Sequence, residues 1–139
     1  MDASPPDTAA SAVDPRLVSY THLMYGLHAV AIVIGILTAA TIVGQFLFSL
    51  PSIIAVIMNY ARRSRVQGTW LATHFSWQLR TFWWSLLWVV LASLLFGPLI
   101  LILIGYPLLT ASLLLVGVWA AWRMARGWMA LRDHRVMPA

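Results

Sequence analysis

Five side chains able to donate, accept or transfer a proton stand in strongly apolar surroundings: Tyr25, His28, Asn59, His74 and Gln78. An imidazole can ligate a metal or carry a proton, a phenol can donate to it, and an amide can hold either in place. An unpaired polar group is costly in hydrocarbon, so such residues need partners. They form either a cluster that satisfies itself and fixes helix register, or a ligand or proton-relay site, or interfacial residues that never meet. His74, Gln78, Thr81 and Ser85 also recur at i, i+4, i+7 and i+11, which puts them on one face of a helix. That seam can glue helices together, line a shallow water-filled cavity or receive a lipid headgroup. Histidines 28 and 74 on facing helices would further suit a b-type haem or a quinone.

The remaining chemistry is sparse. There is no cysteine, hence no disulfide, thiolate metal site or cysteine nucleophile. Paired carboxylates, a Gly-rich phosphate loop and an HExxH motif are missing, and Ser85, Ser93 and Ser112 have no nearby His-acid pair to activate them. From Leu17 to Leu131 the chain holds no Asp, Glu or Lys. That argues against a small proton-coupled antiporter, which needs a membrane-embedded acid as carrier. The expectation is a protein that is not an enzyme, with no cofactor and no metal.

The elements that position these groups follow from hydropathy and charge. Hydrophobic residues make up 61% of the 139 positions and charged residues 9%, against roughly 45–50% and 25% in soluble domains. A charge at the bilayer centre costs roughly 2.5–3.5 kcal/mol even on the mildest scale, so membrane chains confine charge to the gaps between spans. Here arginines 62, 63, 65, 80, 123 and 126 mark those gaps. The fold class expected is all-α integral membrane, with four transmembrane helices near 22–47, 51–63, 81–104 and 108–128 in a membrane domain of 20–130. Residues 1–19 are expected to be a disordered tail and 131–139 a polar C-terminal tail.

The break between the first two spans is placed around Gly44 to Pro51, and Gly97-Pro98 is expected to kink the third. Within 69–80, Thr69, Thr73, Ser76 and Arg80 form a polar stripe opposite Trp70, Leu71, Phe75, Leu79 and Phe82. This predicts a short amphipathic helix in the headgroup layer, or else the wet first turns of the third span.

Orientation comes from the arginines. The positive-inside rule places the 64–80 connection and both termini in the cytoplasm. Arg62, Arg63, Arg65, Arg80, Arg123 and Arg126, with Trp70, Trp77, Trp122 and Trp128, read as anchors at that interface, and cation-π contacts are expected there. The net charge of +5 points to a bilayer with anionic headgroups as the partner rather than to nucleic acid. Ala31, Gly35 and Ala39, and Gly117, Ala121 and Ala125, recur at every fourth position. Such stripes allow close helix approach, either within the chain or in a homo-oligomer or a complex with other membrane proteins.

Residues 51–88, PSIIAVIMNYARRSRVQGTWLATHFSWQLRTFWWSLLW, resemble a family of small bacterial inner-membrane proteins of unknown function. That family is similar in turn to the membrane subunit of the chloroplast inner-envelope protein translocon. The resemblance is carried by Asn59-Tyr60, Gly68-Thr69-Trp70, His74 and Trp77-Gln78 to Arg80-Thr81-Phe82-Trp83, with a further match at ARGWMALRDHRVM, residues 125–137. Relatives commonly carry an acid shortly before the histidine, where this chain has Ala72-Thr73. The resemblance implies a four-helix fold in a bacterial inner membrane. The expected function is that of an accessory or scaffold element, with a translocation or channel component and a haem or quinone binder as the alternatives.

Overall fold

The computed structural model describes residues 13–37 and 42–138, and for residues 42–49 the backbone alone. Among the described residues there are four α-helices and no strand: α1 (Pro15–Leu37), α2 (Ile42–Arg62), α3 (Leu71–Phe96) and α4 (Gly105–Arg132). Two 3-10 segments, Arg63–Val66 and Pro98–Ile102, make the connections on either side of α3. Helix α1 packs against α2 and α4, α3 packs against α4, and α2 touches α3 more lightly.

Three segments are long and apolar enough to cross a membrane: Pro15–Leu37, Leu71–Ile102 and Gly105–Arg132. Almost all of the Leu71–Ile102 segment's most apolar window faces outward. Trp84, Trp88, Leu91, Leu94 and Leu95 are among its exposed side chains. A contiguous apolar surface of that extent suits lipid and not water.

Several boundaries differ from the sequence expectation. The chain turns helical within the expected 1–19 tail, at Pro15. Asp14 caps that helix, its Oδ1 accepting from the Arg16 N–H at 2.8 Å, and proline suits the first helical position. Residues 1–12 lie outside the described residues. Pro51 lies within α2 and does not start it, since surrounding helices can compensate for a proline in an apolar helix. The described part of α1 ends at Leu37 and that of α2 begins at Ile42, and residues 38–41 lie outside the described residues. At 21 residues, α2 is about 31 Å long by the helical rise, rather than the short span expected from 51–63.

No separate helix precedes α3. Residues 71–80 are its first turns, and Leu71, Phe75 and Leu79 are turned into the core. The apolar side of the amphipathic stripe thus finds protein instead of headgroups. Gly97-Pro98 ends α3, and proline begins the 3-10 segment that follows. The fourth helix starts at Gly105, with Pro107 in its first turn, and runs on to Arg132. Gly105 has backbone of Phe96, Leu99 and Ile100 pressed against the place a Cβ would take, so this turn requires glycine.

The apolar core includes Met24, Tyr25, Ile32, Ala55, Val66, Leu71, Phe75, Ala120, Met124 and Leu131. Much of it lies where α1 begins, α2 ends, α3 begins and α4 ends. Tyr25, Asn59, His74 and Gln78 are toward that same end, whereas His28 lies midway along α1.

Candidate functional site

His74 stands in the first turn of α3 with no exposed surface, and both of its ring nitrogens are engaged. Nε2 lies 2.7 Å from the carbonyl oxygen of Arg135, and Nδ1 lies 3.1 Å from the Tyr25 hydroxyl. A carbonyl only accepts, so Nε2 carries the proton, and Nδ1 of the neutral ring accepts from the tyrosine. One imidazole thus links α1, α3 and the segment after α4. Trp70 meets the same ring edge-on at 5.5 Å, and Trp128 stacks on Tyr25 at 6.4 Å.

Tyr25 can reach His74 because α4 offers Gly127 opposite it. A Cβ on Gly127 would come within 2.5 Å of the Tyr25 hydroxyl oxygen and 2.9 Å of a ring carbon. This is a position the sequence reading missed. A glycine inside a helix costs about 1 kcal/mol relative to alanine, and that penalty was the available signal of a packing role.

The other junctions at this end are closed in the same manner. The Tyr20 hydroxyl donates to the Met58 carbonyl at 2.9 Å, joining α1 to α2, and halfway along the same two helices His28 Nδ1 lies 3.2 Å from Ser52 Oγ. Asn59 Nδ2 donates to the Phe75 carbonyl at 3.0 Å, joining α2 to α3. Trp77 Nε1 donates to the Arg123 carbonyl at 3.1 Å, and Arg123 Nε donates to Thr81 Oγ1 at 2.9 Å, joining α3 to α4. Trp128 Nε1 donates to His22 Nδ1 at 2.9 Å, joining α4 to α1. The result is a ring of polar clasps around one end of the bundle.

Tyr25, His28, Asn59, His74 and Gln78 are all at most 3% exposed. They do not form a single cluster. Tyr25 and His74 bond directly and Asn59 reaches the backbone one residue beyond His74, whereas His28 turns to Ser52, with Phe82 as its aromatic neighbour at 6.4 Å. Gln78 is close enough to the Tyr25 phenol to act on it electrostatically, but neither amide atom has a hydrogen bond of good geometry, and Asn59 Oδ1 has none either. In the seam, Thr81 and Ser85 each bond back to a carbonyl one turn earlier, at 2.9 and 2.8 Å. His74 could ligate iron only by giving up one of its two bonds. Among the described residues no three His, Cys, Asp or Glu side chains group as metal ligands.

The C-terminal segment takes part in the site. The sequence marks 131–139 only as a polar tail, yet Leu131 and Met137 are buried. The Met137 N–H donates to Thr73 Oγ1 at 3.0 Å, and Arg80 Nη2 donates to the Pro138 carbonyl at 2.7 Å. Backbone acceptors carry no side-chain signature, so this folding back is invisible in residue types.

Arginines and tryptophans surround the ring. The Arg123 guanidinium lies 3.9 Å from the Trp77 ring centre and 5.2 Å from that of Trp119. Arg80 lies 5.8 Å from Trp77, Arg126 lies 5.6 Å from Trp122, and Arg62 lies 5.0 Å from Tyr20. Arg63 and Arg65 are exposed on the 3-10 segment after α2.

Of the small residues, Ala31 and Gly117 are buried, and a Cβ on Gly117 would meet Ile36 Cγ1 of α1 at 2.9 Å. Gly35 and Ala121 are half-buried, Ala125 is exposed, and Ala39 lies outside the described residues. The buried face of α4 instead follows Gly117, Ala120, Met124, Gly127 and Leu131. It alternates steps of three and four, as a 3.6-residue period requires.

These features define an all-helical protein with three membrane-capable helices and a polar, hydrogen-bonded end. No family model, curated protein or solved structure matches the chain.

Proposed function

We propose that this chain is a non-enzymatic, four-span protein of the bacterial inner membrane that serves as an accessory or scaffold element, with its arginine-rich end in the cytoplasm. The carrying observation is the Tyr25–His74–Arg135 clasp. The imidazole best suited to proton transfer or ligation has both nitrogens engaged in joining structural elements. Similar polar groups bridge neighbouring helices at the same end, which is the use expected of helix-helix glue in a membrane. Such a bundle offers its surface to partners and lipid. The length of α2 supports it as the fourth span, and the arginines at one end support the orientation. The resemblance of residues 51–88 supports the bacterial inner membrane.

Single cysteines test the topology. In intact cells, a cysteine at Gln67 should resist a membrane-impermeant thiol reagent, and one at Leu103 should react. The reverse pattern would overturn the orientation. Crosslinking from native membranes should capture a stoichiometric membrane partner or a second copy. Ion conductance in reconstituted liposomes would favour a translocation component, and reproducible substrate turnover would overturn the non-enzymatic reading.

A further inference from the structure

We infer that the groove between α3 and α4 at the arginine-rich end is a binding site for an anionic phospholipid, with its phosphate on Arg80 and Arg123 and its acyl chains along Trp84 and Trp88. The groove is lined by Trp77, Arg80, Trp84, Trp88, Trp119 and Arg123 and encloses about 390 Å³. Arg123 is within electrostatic reach of both Arg80 and Arg126. Like charges within reach of one another repel, and a bound anion would relieve that repulsion.

The protein does not provide that anion among the described residues. Asp133 pairs with Arg132 and Arg135, and Asp14 caps α1 at the Arg16 N–H. A guanidinium has five N–H donors. Arg123 directs one to Thr81 and Arg80 directs one to Pro138, while Arg80 Nε is buried without a partner. The Trp77 and Trp119 rings lie against the guanidinium groups, which leaves the Nη donors not spent within the protein for a ligand. Planar forked donors suit a phosphate, whose oxygens accept two parallel bonds.

The lower wall of the groove selects an amphiphile over inorganic phosphate. Trp84 and Trp88 are exposed one turn apart on α3, and Leu91 and Leu95 continue the apolar surface along that helix. A free phosphate would use only the arginines, whereas a phospholipid matches both parts. Basic pockets between membrane helices on the cytoplasmic side receive lipid headgroups in this way. The inference rests on the proposed reading of α3 and α4 as spans, but the cysteine labelling above tests that separately.

The test is native mass spectrometry of the full chain from mixed micelles of phosphatidylglycerol and phosphatidylcholine. Wild type should retain phosphatidylglycerol with a preference of roughly tenfold or more. Arg80→Gln with Arg123→Gln should abolish the preference, and Arg132→Gln, outside the groove, should keep it. Trp88→Ala alters an exposed wall with little risk to folding and should lower retention of both lipids, giving a second reading if the double variant does not fold. Millimolar inorganic phosphate should leave the lipid bound. The site is overturned if wild type shows no preference, if the preference survives in a folded double variant, if Trp88→Ala has no effect, or if inorganic phosphate displaces the lipid.

Discussion

At the arginine-rich end, Tyr25, His74 and Gln78 have no exposed surface, and hydrogen bonds cross from helix to helix. At the opposite end, Leu101 and Leu103 are 92% and 84% exposed, and Pro98–Ile102 buries no residue. The contrast shows where this bundle is specified. Apolar side chains gain little by exchanging lipid for one another, so packing and polar contacts must choose the helix arrangement. The polar end supplies both, and the apolar turn supplies a connection.

The comparison can be broken most forcefully at Gly127. Gly127→Val places branched carbon where the Tyr25 ring lies, and should destabilise the protein by about 2–3 kcal/mol through overpacking. Thermal unfolding in detergent measures it, and unchanged stability would mean that close approach at Gly127 does not seat Tyr25. A smaller effect is expected at the imidazole. His74→Leu should cost about 1 kcal/mol by leaving the Tyr25 hydroxyl and Arg135 carbonyl without a partner, while His74→Gln, whose amide can donate and accept, should be milder. Equal melting of wild type and both variants would remove the clasp from the account. The least effect is expected for Leu101→Ala, within about 0.5 kcal/mol by the same assay. A larger loss would show that the apolar end also carries tertiary packing, and the distinction between the ends would fail.

Much of this division was legible from the chain, for reasons that differ by residue. Long apolar runs between arginines announce membrane-capable helices because charge is expelled from hydrocarbon. The burial of Tyr25, His28, Asn59, His74 and Gln78 follows from the need of polar groups for partners in such runs. Which partner each takes does not follow, because it depends on helix rotation. His28 meets Ser52, a residue hidden beside Pro51 in a stretch that reads as a helix start. The every-fourth spacing of Gly117, Ala121 and Ala125 drifts off the contact face and passes over Gly127. The apolar stripe at 71–79 suggests a membrane surface because a helix facing protein and one facing headgroups share the same pattern.

The folded-back segment sets an order of events during synthesis. His74 is made 61 residues before the carbonyl that accepts its proton. Until Arg135 has emerged, α1 and α3 can meet through Tyr25 while the imidazole N–H lacks its carbonyl acceptor. The last clasp closes only after α4 has been made, so a nascent chain stalled before that point would present an open end.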